Sequence, residues 1–512
     1  MPVRVVGDSR SGKEDTSECR RSAGGDRSEE RPVEVRAAVV AEKRGNARGA
    51  KGGRKVEVRK DTHREDKSAT VPTADKQVEE TLWQRCKAER GVWTENMLIA
   101  LERGVKGNKW FSLIDKVASE RTLGIGWEKV KSNAGACGVD GISVGHFDKD
   151  SDNRLLAVKE HLKEGRYQPK PIRRVYIPKL GSTETRPLGI PTVGDRVVQS
   201  AVKMVIEPIF EREFASSSYG FRPGRSCKDA LREVERLLRG GYLHVVDVDI
   251  KGYFDNIPHG KLMDLVRERI ADGKVLGLIE AFLKQGVLED GIIIDPITGS
   301  PQGGIISPLL ANIYLNPLDW ILESLGLKSA RYADDIVVLT RDADSAAAAL
   351  ERISEWMRGA ELTLHPEKTR IEDMSREGAS FEFLGYRFKR GRTGKLLKLV
   401  RDKSKQKLRA TLRRPTKRSN GHSMETIVGK INPILRGWFN YFQHAHANEM
   451  TSMDGWVRMR LRSILRKRDG GCGKGRGRDH QRWRNSYFAK LKLFSLEQAR
   501  EEAMSLRKGA NH

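Results

Sequence analysis

This chain is short of cysteine, short of acid relative to base, and without a single aromatic residue in its first stretch, and each shortage narrows what it can be. Cys19, Cys86, Cys137, Cys227 and Cys472 are scattered singly with no Cys-x-x-Cys pair, which argues against a disulfide framework and a zinc ribbon. They read as reduced, structural residues. No stretch approaches the roughly 20 apolar residues a spanning helix needs, and Pro2 to Arg10 lacks the apolar region of a signal peptide. The expected location is therefore the cytoplasm. Met1 to Thr81 holds no Phe, Tyr or Trp and is crowded with Gly, Ser, Arg, Lys and Glu. Such a segment cannot bury enough apolar area to offset chain entropy, so residues 1–80 are expected to form a disordered leader. Acids number 69 against 95 Lys plus Arg, a net charge of +26, which makes nucleic acid the first expected partner and an anionic membrane the second. The missing spanning segment weighs against the membrane.

What is present suffices for more than one domain: 512 residues, 38% of them apolar. From Trp83 to about Val130, Met97, Leu98 and Leu101, then Trp110, Leu113, Ile114 and Val117, follow the three-and-four spacing of amphipathic helices. From about Asn133 to Arg390, strand-like runs (Leu243 to Ile250, Asp335 to Leu339) mix with helical ones (Arg196 to Phe210, Pro308 to Leu322). Composition then changes. Lys389 to Asn420 holds 14 Lys or Arg and one acid, Asp402, ahead of a helical stripe at Ile431, Ile434, Leu435, Trp438 and Phe442. Arg458 to Arg484 holds 11 Lys or Arg against Asp469 and Asp479. The expected organisation is a first domain over 81–390, a helical domain over 391–470 and a basic C-terminal segment over 471–512. No internal repeat is visible.

The chemistry-bearing pattern is acidic. Val245-Val246-Asp247-Val248-Asp249-Ile250-Lys251-Gly252-Tyr253-Phe254-Asp255 runs an apolar strand into carboxylates and then a Gly. About 80 residues later, Arg331-Tyr332-Ala333-Asp334-Asp335 runs two acids into an apolar strand, Ile336 to Leu339. Either alone is an ordinary polar strand end. Together they suggest aspartates that would repel and hold protons unless cations lie between them. Mg2+ prefers carboxylate oxygen and keeps positions open for phosphate; two such ions about 4 Å apart can activate an attacking hydroxyl and hold a triphosphate.

At this point the chain resembles the reverse transcriptases encoded within group II introns. Tyr332-Ala333-Asp334-Asp335 is similar to their active-site box, and Asp249 to Asp255 to the box of their first catalytic acid. Further matches follow in family order: Asn133 to Gly141 with an N-terminal block, Arg186-Pro187-Leu188-Gly189-Ile190-Pro191 and Tyr219-Gly220-Phe221-Arg222-Pro223-Gly224 with the fingers, and Thr298 to Pro308 with the nucleotide pocket. Leu364-His365-Pro366-Glu367-Lys368-Thr369 resembles the next box, Phe383-Leu384-Gly385-Tyr386 the primer grip, and Ile431 to Phe442 the thumb/maturase region. The likeness covers roughly residues 110 to 445.

The resemblance implies an α+β right-hand polymerase fold of fingers and palm, then an α-helical thumb/maturase domain. It implies an RNA-directed DNA polymerase that copies intron RNA and acts as maturase in splicing and mobility. Asp249, Asp334 and Asp335 would be catalytic and would ligate two Mg2+ ions, with Mn2+ as substitute, joined by Ile250. Asp247 lies one alternation step from Asp249 on the same strand face, so geometry does not separate them; the family pattern favours Asp249. Lys179 and Arg186, flanking a Gly-Ser-Thr turn, would meet the triphosphate. Phe254 would lie beneath the incoming sugar and exclude a 2′-hydroxyl, and Gln302 and Lys368 complete the nucleotide set. Without the resemblance these would read as solvated basic loops and ordinary core packing. Tyr219, Arg222 and Cys227 are read as structural.

The implied partners are intron RNA in a ribonucleoprotein, an RNA template with DNA primer, dNTPs and target DNA, with one copy or a homodimer left open. Arg390, Lys403, Lys407, Arg413, Arg414, Arg458, Arg462 and Arg466 are the expected phosphate contacts, while Trp438 and Phe442 continue the apolar stripe and are expected to pack a helical core. Residues 471–512 are read as a remnant of a DNA-binding segment. With only Cys472 after Cys227, no zinc-bound endonuclease is expected. Two other classes stay in view: a non-enzymatic RNA-binding maturase, and a defence or diversity-generating reverse transcriptase.

Overall fold

The computed structural model describes residues 88–178 and 185–509; the leader expected over 1–80 lies outside them. The described chain begins with helices α1 (Glu95–Arg103), α2 (Glu120–Asn133) and α3 (Ser151–Glu164). Ser119 caps α2 by accepting from the Thr122 amide, and Leu123, Trp127 and Val130 supply its buried stripe. Strands β1 (Ile172–Pro178) and β2 (Thr185–Ile190) then pair antiparallel on either side of residues 179–184. Helix α4 (Val193–Glu211) has Val197, Val198, Ala201, Val202, Val205 and Ile206 all buried, as a helix apolar on every side must. It crosses α2 at Gly126, where a Cβ would stand 3.2 Å from the Val197 carbonyl oxygen. Helix α5 (Cys227–Arg239) is the opposite case, burying Ala230, Leu231, Val234, Leu237 and Leu238 and leaving charge outside.

The central sheet uses β3 (His244–Asp249) and later strands. Between them come α6 (His259–Arg267), α7 (Gly273–Leu283), the hairpin β4 (Val287–Glu289) and β5 (Ile292–Ile294), and α8 (Ser307–Ser324). Then follow β6 (Lys328–Tyr332), β7 (Asp335–Thr340), α9 (Ala343–Gly359) and β8 (Arg370–Asp373). The sheet order is β6-β7-β3-β8, every pair antiparallel. Val246, Val248, Ile336 and Val338 pack into one core, Val245, Val337 and Leu339 into another. Burial on both faces explains why these strands read as near-continuous apolar runs, and why a register slip would be costly. A second sheet, β2-β1-β4-β5, forms the fingers side.

Strands β9 (Ser380–Phe383), β10 (Tyr386–Arg390) and β11 (Leu396–Val400) make a third sheet in the order β11-β10-β9. The boundary expected at 390 therefore falls inside a sheet. Basic composition hid β11 because its Lys398 ammonium is paired with Glu235 at 2.5 Å and lies over the Tyr386 ring. The helical region begins with α10 (Asp402–Arg413), followed by α11 (Met424–Phe442), α12 (Ala447–Arg468) and α13 (Leu496–Gly509). On α11, Ile427, Val428, Ile431, Leu435, Phe439 and Phe442 are buried. Trp438 is half-buried against Phe442, ring centroids 4.9 Å apart, as its place in the stripe suggests.

The C-terminal residues are likewise continuous with this helical core. Phe488 and Leu496 are buried in it, and the Asp454 carboxylate on α12 accepts from the Ser495 hydroxyl and from the amides of Leu496 and Glu497, capping α13. The described part of the segment expected over 471–512 thus packs on the helical core through Phe488 and Leu496. Among the described residues no helix is long and apolar enough to cross a membrane.

Candidate active site

Asp249 closes β3 and Asp335 opens β7, and the two are direct cross-strand partners in the antiparallel register. Paired residues in such a ladder share a face, so Asp247, Asp249 and Asp335 lie together on the face that includes Val245 and Val337. Tyr332 pairs with Asp335 across a two-residue turn, Ala333 and Asp334. Ala333 has φ +61°, a left-handed backbone that costs a non-Gly residue about 1 kcal/mol.

A buried network holds this turn. Arg331, with no exposed surface, donates from Nε and Nη2 to the Asp319 carboxylate at 2.5–2.9 Å. It also donates to Asn312 Oδ1 at 2.8 Å, to Ser218 Oγ at 2.8 Å and to the Ala333 carbonyl at 3.1 Å. Burial works against its charge, but Asp319 outweighs burial and raises its pKa. Asn312 in turn donates to the Gly220 carbonyl at 2.7 Å. A Cβ on Gly220 would come within 2.3 Å of the Ala333 amide nitrogen, so only glycine lets that backbone lie against the turn.

Asp335 is pushed up to about 7 by burial, then by Asp247 and Asp334, with the Leu384 amide and Arg401 opposing. Asp247 is pushed up to about 6, mainly by burial, with Arg370 opposing and Asp249 adding to the rise. Asp334 is raised by burial and by Asp249, against the pull of Arg186 and Arg331. These acids are poised for a cation, because each is less stable ionised here than in water. Among the described residues no three His, Cys, Asp or Glu side chains yet close into a ligand cage. The Lys368 ammonium lies 3.2 Å from Asp249 Oδ1 and 3.4 Å from Oδ2. The same segment fixes the Asp249 backbone: His365 N–H donates to its carbonyl at 2.8 Å, and its amide donates to Thr369 Oγ1 at 3.3 Å. Flanking bonds, Lys251 N–H to Thr363 O and His365 N–H to Asp249 O, leave the Ile250 carbonyl turned away from that strand.

The loop of Thr298 to Gly304 joins fingers to palm. Gly189 donates to the Gln302 carbonyl at 2.7 Å, and a Cβ on Gly303 would meet the Gly189 oxygen at 2.2 Å. Ser300 donates to the Phe254 carbonyl at 2.7 Å, and Gln302 Nε2 donates to Asp255 Oδ2 at 3.2 Å. Asp255 is raised by burial, with Arg174, Gln302 and Arg186 opposing. Arg186 thus acts electrostatically on both Asp334 and Asp255, while Lys179 lies outside the described residues. Phe254 is half-buried beside Tyr253, ring centroids 5.5 Å apart.

A family model for reverse transcriptase (RNA-dependent DNA polymerase) matches residues 177–388, and one for the group II intron maturase-specific domain matches 405–483. Protein YkfC of Escherichia coli K12 is 36% identical over 305 residues, 51% of this chain and 78% of that protein. The chain belongs to the group II intron reverse transcriptase/maturase family. The group II intron-encoded protein LtrA of Lactococcus lactis is 44% identical over 207 residues, 40% of this chain but 34% of LtrA, so the match spans about a third of that relative. A solved telomerase from Candida albicans with a telomeric RNA fragment has 12% identity and TM-score 0.37, covering 63% of this chain and 64% of that one. Polymerases of this family use divalent metal ions, and the crowded, part-buried aspartates suit one.

For this reverse transcriptase/maturase, the expected RNA contacts divide. Lys403, Lys407, Arg413 and Arg414 are exposed on or just after α10, and Arg390 is half-buried at the end of β10. Arg462 is a correction: it is 2% exposed, donating to the Trp483 carbonyl at 2.9 Å and Asn485 Oδ1 at 2.8 Å, so its guanidinium serves the core. Arg458 faces Asp454 at 3.7 Å, and Arg466 is bound to Cys472 O at 2.6 Å and Asp479 at 2.8 Å. Arg222, read as structural, donates to both Glu211 carboxylate oxygens and to the Ala215 and Ser218 carbonyls. Sequence reasoning gave no role to Arg331, Asp319 or Arg401, and placed Gly220 and Leu384 only as members of family-like boxes. The one usable signal was a lone Arg heading the run Tyr332 to Leu339.

Proposed function

We propose that this chain is an RNA-directed DNA polymerase that extends a DNA primer on an RNA template and also assists its host intron RNA in splicing and mobility. The carrying observation is the direct opposition of Asp249 and Asp335 at one sheet end, with Asp334 in the adjoining turn. Asp249, Asp334 and Asp335, with the Ile250 carbonyl, would hold two divalent ions, Mg2+ with Mn2+ as substitute; when bound, these supply hydroxyl activation and neutralise leaving-group charge.

The chain's own groups do the remaining work. Arg186, with Lys179, would bind the triphosphate, and Lys368 would exchange Asp249 for a phosphate oxygen once the carboxylate is otherwise engaged. Phe254 would set the floor under the sugar and select dNTPs. Gln302, anchored on Asp255, would orient base or template from a loop whose glycines allow close approach. The exposed cations on and after α10 would hold intron RNA or target DNA by phosphate, and the reading carries a cytoplasmic location with it. It holds for one copy or a homodimer alike.

Primer extension on an RNA template with Mg2+ tests the assignment. Asp334→Ala with Asp335→Ala should abolish copying while intron splicing by the same folded protein continues; full copying by that variant would sink the catalytic reading.

A further inference from the structure

Beside the aspartate turn, a phenylalanine and an arginine have exchanged their ordinary places. Phe221 is 48% exposed, whereas Arg222, the charged residue next to it, is 7% exposed and bound to Glu211, Ala215 and Ser218. A half-bare aromatic ring leaves apolar area in water that burial would remove. Its backbone adds a second cost: Phe221 has φ +56°, the left-handed region in which a bulky residue is an outlier. Strain of this kind persists only where surrounding structure imposes it, and it gathers at sites that bind or react.

The segment is held from both sides. Before Phe221, the Tyr219 amide donates to the Arg331 carbonyl at 2.8 Å and the Arg331 amide to the Ser217 carbonyl at 2.9 Å, so residues 217–219 run along β6. Gly220 lies against the turn itself, its carbonyl accepting from Asn312 at 2.7 Å. After Phe221, the buried Arg222 guanidinium fixes the chain. Held so, the Phe221 ring rests beside the Tyr332 ring, centroids 6.0 Å apart and planes tilted by 44°. Tyr332 is the cross-strand partner of Asp335. Phe221 thus stands one side chain away from the aspartates, with about half its surface open to solvent.

Sheet order decides which substrate meets that ring. The acids Asp335 and Asp249 lie on β7 and β3, the middle strands of β6-β7-β3-β8. Phe254 and Asp255, with Gln302 bonded to Asp255, follow β3, the side proposed for the incoming nucleotide. Tyr332 and Phe221 lie on the β6 side, with β7 between. In an in-line displacement the attacking hydroxyl and the leaving pyrophosphate stand on opposite sides of the reacting phosphorus. The strand end that bears the hydroxyl accordingly arrives on the β6 side. Its terminal base is stacked within the duplex, which leaves the sugar as the apolar surface a ring can cover.

We propose that Phe221 positions the 3′-terminal nucleotide of the primer by packing its ring on that sugar, beside Tyr332, and so holds the 3′-hydroxyl toward the aspartates. The inference rests on the polymerase reading and deepens it. It accounts for both costs at once: primer covers the ring when bound, and the network that strains the backbone is what aims it.

In the full chain with RNA template, DNA primer and Mg2+, Phe221→Ala should raise the KM for primer–template about tenfold and leave the dNTP KM unchanged, the scale of removing one ring from a nucleotide. Phe221→Tyr keeps the ring and should keep the parent's KM. Phe221→Gly separates binding from folding, because it removes the ring while relaxing the backbone: the thermal midpoint should hold or rise as the primer–template KM climbs to that of the Ala variant. A ring that only packs the fold would instead lower the midpoint in both variants with both KM values in place, which overturns the proposal. A 2-aminopurine at the 3′ end of the primer gives a readout that needs no turnover. Its emission should change on binding to the parent and lose most of that change with Phe221→Ala, while the same base one helical turn upstream reports no difference between the two proteins. An unchanged terminal signal with an unchanged primer–template KM overturns the inference and leaves the polymerase reading intact. A rise in dNTP KM alone would put Phe221 on the nucleotide side and overturns it as well. A parent that binds the primer end yet copies nothing overturns the polymerase reading, and the terminal 2-aminopurine signal then decides the contact by itself.

Discussion

Arg331 and Asp319 form an ion pair with essentially no exposed surface, 0% and 1%, at 2.5 Å, and the same guanidinium reaches the carbonyl of Ala333 in the aspartate turn. Helix α8 and strand β6 are thereby joined directly behind Asp334. A buried pair of this kind offsets its own desolvation only when every lone pair is used, and here Asn312 and Ser218 take the remaining donors.

Removing one partner strands the other charge. Asp319→Asn is expected to destabilise the protein by about 3–5 kcal/mol, read from urea unfolding. Arg331→Lys keeps the charge but cannot supply the fork that spans Asp319, Asn312 and Ala333 at once. It should stay folded and lose copying by roughly a hundredfold, the cost of a misplaced reacting group. A fully active Arg331→Lys enzyme would show that the turn keeps its geometry without the guanidinium.

Much of the site was legible because its chemistry is written in local runs. The strand from Val245 and the strand into Leu339 declared themselves by apolar runs ending in acid, and register then followed from burial on both faces. Arg331 and Asp319 were not legible, since nothing in a sequence says that an Arg near the end of a strand will meet an Asp on the preceding helix. The third sheet was missed for a related reason. Lys389 to Arg401 looks like solvated charge until Glu235, on a distant helix, is placed beside Lys398. The positive φ of Leu384, +47°, was invisible in principle, because Leu carries no signature of it.

The aspartates also fix a pH dependence. Asp335 titrates near pH 7 and Asp247 near pH 6 in the metal-free protein, both above the usual 3.8. Between those values the folded state holds protons that the unfolded chain has released. Their contribution is therefore complete below about pH 4 and is lost as pH rises through 6 and 7. In EDTA, stability should fall from pH 5 to pH 8, and Asp335→Asn should flatten that slope and gain about 1–2 kcal/mol at pH 8. Saturating Mg2+ should restore the parent at pH 8 and do nothing for the variant. Chemical denaturation across that range, with and without metal, checks it; a stability that rises with pH would contradict the placement of these groups.

Cations near the C-terminus separate by where their charge goes. Lys403, Lys407, Arg413 and Arg414 are exposed, whereas Arg462 spends its guanidinium on Trp483 and Asn485 inside the helical core. A phosphate contact releases counterions, so its loss shows in the salt dependence of binding; a core contact has no such signature. Replacing the four exposed cations by Ala should weaken intron RNA binding and reduce the slope of log K against log salt by roughly 3, leaving the thermal midpoint within a degree or two. Arg462→Ala should do the reverse, costing about 2–4 kcal/mol of stability while the salt slope of the protein that remains folded stays that of the parent. Filter binding between 50 and 300 mM salt, roughly the span over which such slopes are read, distinguishes the two. A flattened slope for Arg462→Ala would mean that this residue leaves the core to meet RNA, which its 2% exposure and its bonds to Trp483 and Asn485 argue it does not.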